Sequence, residues 1–256
     1  MKKFCFTIDD NIRFLDELTA GTYESLFSHP YTALLKRLHE KFGVKVQMNL
    51  FYENERFTLA EMTEKYRAEW QENAEWLKLS FHSRLENERP YEYSAYGEVY
   101  GDCNAVHNEV LRFAGEASLA KTTTIHYCRT TKEGVRALQD CGVQGLLGLY
   151  GDNDNPRTSY SCEEVQAQCA RSGGVARENG MAFAGIDVIL NMYSVEENIR
   201  RLTAIQNREF VKVMIHEQYF YPDYPRYQPD FEEKLTRAFA FLAEHGFESL
   251  FFEEIM

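Results

Sequence analysis

Strand-length runs of β-branched and aromatic residues alternate with helically spaced apolar stretches along most of this chain, and that alternation limits what it can fold into. Parallel strands joined by crossover helices are the architecture such a pattern supports. The first run, Phe4-Cys5-Phe6-Thr7-Ile8, stops at Asp9, Asp10 and Asn11. Further strands are expected over 44–52, 77–81, 122–127, 143–150, 182–193, 210–216 and 249–252. Helical spacing covers 30–42, closed by Gly43, then 58–76, 104–113, 132–140, 194–208 and 230–245. Two of these open on capping boxes, Thr58 with Glu61 and Ser194 with Glu197. A short helix near 163–169 and a turn fill the stretch 160–180. The expected fold is α/β, a single (β/α) barrel domain of seven or eight strands spanning 1–256, possibly irregular. A polar, tyrosine-rich insertion occupies 84–101, serving as a lid or as an ordered surface loop.

Composition narrows the partners. A formal charge of −12 argues against nucleic acid and anionic membrane. No stretch approaches the ~18 apolar residues of a membrane span. Six cysteines are scattered without a CxxC pair, and no secretory signal opens the chain, so a reducing, cytoplasmic setting is expected. Sixteen tyrosines suit either a core or a sugar-lined site.

The expected strand ends carry chemistry. They present Asp9 and Asp10, His82, His126, His216 with Glu217, and Glu253 with Glu254. Adjacent carboxylates repel unless a cation, proton or base compensates them. A carboxylate with imidazoles from different strands is the ligand set of a divalent metal such as zinc. Cys128, beside Arg129, reads as a packed thiol.

At these residues the chain resembles the polysaccharide deacetylase superfamily, carbohydrate esterase family 4. Thr7-Ile8-Asp9-Asp10 is similar to its first motif. His82-Ser83-Arg84-Leu85-Glu86 falls where that family has His-Ser/Thr-x-x-His. Tyr127-Cys128-Arg129 resembles its arginine motif, and Val213-Met214-Ile215-His216-Glu217 its late strand. The resemblance implies Asp9 as general base, His216 as general acid and Arg129 as the group that orients Asp9. It implies Asp10, His82 and, in place of the second histidine, Glu86 as ligands of a divalent metal, zinc by preference. Asp152 and Asp154 loosely match its fourth motif. Tyr91, Tyr127 and Glu217 are candidate substrate contacts. The implied activity is hydrolysis of an amide, such as an N-acetyl group on a sugar or another small acylated molecule. Two other readings stand beside it: a metal-independent glycoside hydrolase using Asp10 with Glu217 or Glu254, and a non-catalytic carbohydrate-binding barrel that has lost a metal ligand.

Overall fold

The computed structural model describes residues 1–86, 91–149 and 174–256. The first sheet is built on β1 (Lys2–Asn11), β2 (Val46–Glu53) and β3 (Leu77–Leu85). The second holds β4 (Thr122–Thr124), β5 (Gly145–Gly148), β6 (Val175–Glu178) and β7 (Met181–Gly185). The chain then returns to the first sheet with β8 (Val188–Ile189), β9 (Phe210–His216) and β10 (Phe247–Ser249). The helices are α1 (Arg13–Ala20), α2 (Pro30–Phe42), α3 (Arg67–Glu72), α4 (Tyr96–Phe113), α5 (Lys132–Asp140), α6 (Val195–Ile205) and α7 (Phe231–Glu244).

Strand order in the first sheet is β3-β2-β1-β9-β8, all parallel, with β10 alongside the start of β1. The second sheet runs β4-β5-β7-β6, antiparallel only between β6 and β7. An isolated pairing joins Leu79 of β3 to Leu119, just ahead of β4. The parallel α/β expectation therefore holds, whereas the strands among the described residues pair into two sheets and not into one closed ring.

The two faces of β1 show why the strand is central. Phe4 and Phe6 face the helices and pack on Phe239 of α7, Phe6 edge-on at 4.9 Å between ring centres. Cys5 faces the other way, into a smaller cluster with Leu147, Ala182, Ala184, Leu250 and Phe252. Burial on both faces is what makes a parallel strand read as a continuous apolar run.

Several elements differ from their expected bounds, each for a local reason. The helix 30–42 is as expected: His29 accepts the Tyr31 N–H, Pro30 fills the first position and Gly43 closes it at φ 67°. The 58–76 stretch keeps its Thr58–Glu61 capping box but makes one 3₁₀ turn before α3. The strand expected over 122–127 stops at Thr124, and the one over 182–193 breaks into β7 and β8. The second half of the tyrosine-rich stretch is the start of α4. Glu253 and Glu254 lie at the other end of the sheet from the strand carboxyl ends, paired with Lys78 and Lys45, so Glu254 is not a site acid. The short helix expected near 163–169 lies outside the described residues. No helix among the described residues is long and apolar enough to cross a membrane.

Replacing Phe6 by Ala should destabilise the fold by about 3–5 kcal/mol, since it empties a fully buried ring site. Urea denaturation of both proteins measures this; a loss below about 1 kcal/mol would contradict the central packing role given to β1.

Candidate metal and acid–base site

Asp10, His82 and His126 stand where regular strand geometry breaks. On β1, Ile8 pairs with Met48 but Asn11 pairs with Leu50, so β1 carries one extra residue at the acidic pair. Asp10 takes a left-handed backbone, φ 64°, a conformation that aspartate tolerates better than most residues. The bulge lets Asp9 and Asp10, which strict alternation would send to opposite faces, be buried in the same mouth. Asn11 holds it shut: its amide donates to the Ile8 carbonyl at 2.6 Å and the Asn49 carbonyl at 3.1 Å.

β3 repeats the device. Leu50 pairs with Phe81 and Phe51 with Ser83, leaving His82 as the extra residue. His126 lies just past β4, before Tyr127 and Cys128, both left-handed at φ 59° and 58°. Backbone outliers beside a cluster of ligating side chains are where strain is tied to function.

The cluster itself is Asp10, His82 and His126, all buried. His82 Nε2 lies 3.0 Å from Asp10 Oδ1 and 3.1 Å from His126 Nδ1, and His126 Nδ1 lies 3.4 Å from Asp10 Oδ1. The opposite ring nitrogens face main-chain carbonyls, His82 Nδ1 that of Thr124 and His126 Nε2 that of Glu86. A carbonyl only accepts, so those nitrogens carry the protons and the inward nitrogens of neutral rings carry lone pairs. Burial opposes ionisation of Asp10, but the His126 and His82 rings facing it hold it well below the usual carboxylate range. Burial lowers His82, against the pull of Asp10. An anionic carboxylate and neutral imidazoles are the protonation states metal binding requires. Tetrahedral bonds of about 2.0–2.1 Å separate ligand atoms by roughly 3.3 Å, close to the three spacings here. The donor set fits a divalent cation.

Asp9 and His216 stand opposite each other across β1 and β9. Asp9 Oδ1 accepts from Asn49 Nδ2 at 2.6 Å. Burial pushes Asp9 well above the usual range, against that bond, and the neighbouring Asp10 adds to the rise. The Asn49 amide is itself oriented by Gln47, whose Nε2 donates to Asn49 Oδ1 and to the Thr122 carbonyl while its oxygen accepts from Thr122. His216 donates from Nδ1 to Asn191 Oδ1 at 2.8 Å, which leaves Nε2 free of that bond. Burial lowers its pKa, opposed by Asp10. Asn191 Nδ2 and Gln218 Oε1 are buried and have no hydrogen-bond partner among the described residues, a state that a bound polar ligand would relieve.

The structure therefore brings together Asp9, Asp10, His82 and His216 from the sequence reading and corrects others. The third side chain that converges with Asp10 and His82 is His126; Glu86 enters through its main-chain carbonyl, and its carboxylate accepts from Gln218 at 3.4 Å. Arg129 pairs with Glu92 at 2.6 Å, and Asn49 is the donor to Asp9. Glu217, expected as a substrate contact, accepts from the backbone N–H groups of Ile12, Arg13 and Phe14 and from Tyr221. It caps α1 from the turn that follows β9. Tyr91 is buried, its hydroxyl donating to Asp102 and accepting from the Arg84 N–H. Tyr127, 40% exposed with its ring 4.2 Å from His126, remains placed to meet a ligand. Asp152 and Asp154 lie outside the described residues. Asn49, Asn191 and Gln218 carried no sequence signal, whereas His126 had one, as a histidine at a strand end.

No protein-family model and no curated protein matches this sequence. Solved structures do. A family 4 acetyl xylan esterase from Clostridium thermocellum, in complex with a cobalt ion, superposes with a TM-score of 0.57 at 12% identity, covering 99% of this chain and 89% of that one. This is the polysaccharide deacetylase fold. A peptidoglycan N-acetylglucosamine deacetylase gives 0.58 at 11% identity, over 99% of this chain and 87% of that one. A family 4 pseudoenzyme from Bacillus anthracis gives 0.54 at 10%, over 99% and 65%.

Asp10→Ala and His126→Ala should each weaken divalent metal binding by more than about 100-fold, while Glu86→Ala, which keeps its carbonyl, should bind within a few-fold of wild type. Calorimetric titration with zinc decides between His126 and Glu86 as the third ligand. A second expectation concerns Glu217, whose pKa burial raises from 4.5 to about 7 against its four hydrogen bonds. The folded state then holds the proton more tightly than the unfolded chain. Its stabilisation is complete below about pH 4.5 and is lost as pH rises toward 7, roughly 3 kcal/mol in all. Glu217→Gln should flatten that part of a stability–pH profile measured by urea denaturation.

Proposed function

We propose that this protein is a metal-dependent hydrolase of the deacetylase type, cleaving a carbon–nitrogen amide bond such as the N-acetyl group of a sugar or another small acylated molecule. The observation that carries the reading is the convergence of three lone-pair atoms, from Asp10, His82 and His126, beside Asp9 and His216. The fold neighbours named as an acetyl xylan esterase and a peptidoglycan deacetylase both act, by those names, on acylated carbohydrates.

A divalent cation, zinc by preference, held by Asp10, His82 and His126 would supply Lewis acidity at the acyl oxygen and acidify a water. Asp9 is the general base, taking a proton from the attacking water at the carboxylate oxygen not engaged by Asn49. The Gln47–Asn49 pair keeps an N–H aimed at Asp9, stabilising the charged form that a base needs. His216 is the general acid: with Nδ1 fixed on Asn191, it delivers a proton from Nε2 to the leaving amine. Asn191 Nδ2 and Gln218 Oε1 offer a donor and an acceptor to the substrate, and Tyr127 an exposed ring at the mouth.

The glycosidase reading loses its carboxylate pair, because Glu217 is committed to the α1 cap and Glu254 to Lys45. Against the non-catalytic reading, which a missing ligand favours, stands His126, a third donor in the cluster.

The test is release of acetate from a panel of N-acetylated sugars by metal-loaded protein. Asp9→Asn and His216→Asn should each lower kcat by about 10²–10⁴-fold with metal content unchanged. Fully loaded wild type that releases nothing across the panel would sink the assignment.

A further inference from the structure

The tyrosine-rich stretch lends no side chain to the Asp10–His82–His126 cluster, yet its residues 91–94 are bonded to both segments that carry the histidines. Tyr91 grips β3 on either side of His82. Its ring packs on Phe81, 5.8 Å between centres, and its buried hydroxyl accepts the Arg84 N–H at 2.9 Å. The same hydroxyl donates to Asp102 of α4 at 3.0 Å, which anchors the contact to a long helix.

The neighbouring bonds reach the other histidine. The Tyr91 main chain pairs with Thr130, Glu92 accepts from Arg129 at 2.6 Å, and the Ser94 carbonyl accepts from Thr131 Oγ1 at 3.0 Å. Residues 129–131 follow the left-handed Tyr127 and Cys128, so these bonds fix where the chain leaves the turn that bears His126. A further tie runs through Glu86, two residues past Arg84, whose carbonyl His126 Nε2 faces.

We propose that residues 91–94 brace the metal site, with Tyr91 as a positioning residue for both imidazoles: its hydroxyl holds the bulged end of β3 behind His82, and its main chain holds the exit of the His126 turn. The assignment rests on the metal-binding reading, since a positioning residue needs a ligand set to position. Its physical need is plain. A bulge interrupts the ladder that would hold a strand end, and left-handed residues persist only where their surroundings over-determine them. Both histidines stand at such places, and one short segment ties the two together. Arg129, which resembles a residue that orients Asp9, here serves the ligands instead through Glu92.

The experiment titrates the metal-free full chain with cobalt(II) and records affinity together with the visible absorption of the bound ion, which reports coordination geometry. Tyr91→Phe keeps the ring and loses the hydroxyl; it should weaken cobalt binding by about tenfold or more and change the spectrum. Tyr66→Phe is the control. It also loses a buried hydroxyl, one bonded to the Tyr23 carbonyl on neither histidine segment, and it should leave affinity and spectrum as in wild type. Glu92→Ala, at a partly exposed ion pair, should alter the spectrum in the same direction with a smaller loss of affinity, and it carries the decision where Tyr91→Phe does not fold. Wild type that binds no cobalt sinks the metal-binding reading, and this assignment with it. Wild type that binds normally, beside a folded Tyr91→Phe or a Glu92→Ala with unchanged spectrum and affinity, sinks the brace alone, as does a Tyr66→Phe that loses as much as Tyr91→Phe.

Discussion

Three electron-rich atoms cannot share a buried space about 3 Å across without a proton or a cation between them. Asp10 Oδ1, His82 Nε2 and His126 Nδ1 are so placed because each ring's other nitrogen is committed to a main-chain carbonyl. Those outer bonds are made by β4 and by the turn after β3, so the orientation of the imidazoles is a property of the two chain segments rather than of the rings. Remove the carbonyl partners and either ring could turn or change tautomer, after which the inward lone pairs are no longer guaranteed.

That placement depends on breaking the strands at the right residues. Alternation along a regular β1 would send one of Asp9 and Asp10 to the helix layer. One inserted residue, stapled by Asn11, directs both into the mouth, and a second at His82 brings β3 to the same spot. Glu217 couples this geometry to the next element, since it stands beside His216 at the end of β9 and caps the helix that follows the β1 bulge. The ends of β9 and β1 are thus bonded to each other beyond the sheet ladder.

The parts legible in the sequence are those set by local chemistry. Apolar runs marked β1, β2, β3 and β9, Gly43 marked the end of α2, and carboxylates or histidines at strand ends marked the mouth. What eluded the sequence depends on register and on which surface is buried. His126 and Glu86 compete for the same role on paper, and only the left-handed turn after β4 decides which one turns inward. Glu217 follows a candidate acid and so looks catalytic, yet its environment is three distant backbone N–H groups. Arg129 matches a motif in spacing but is drawn to Glu92 on the tyrosine-rich segment, and an uncharged residue from β2 takes over at Asp9.

Asp9 and Asp10 contrast because histidines surround one of the two buried carboxyls and a single amide meets the other. The two carboxyls are adjacent and equally enclosed, but their pKa values move in opposite directions. Two imidazoles compensate Asp10, which stays ionised as a ligand must. Asp9 has one neutral amide and a charged neighbour, so its proton is held tightly until positive charge arrives nearby. A guanidinium at Asp9 would have kept it ionised at all times; an amide makes its basicity depend on what the neighbouring cluster holds. Pairs of titrating groups driven apart by their surroundings are how one mouth supplies both an anchor and a base. Here the separation comes from burial, which raises Asp9 against the Asn49 bond, and from the histidines around Asp10, which hold it low.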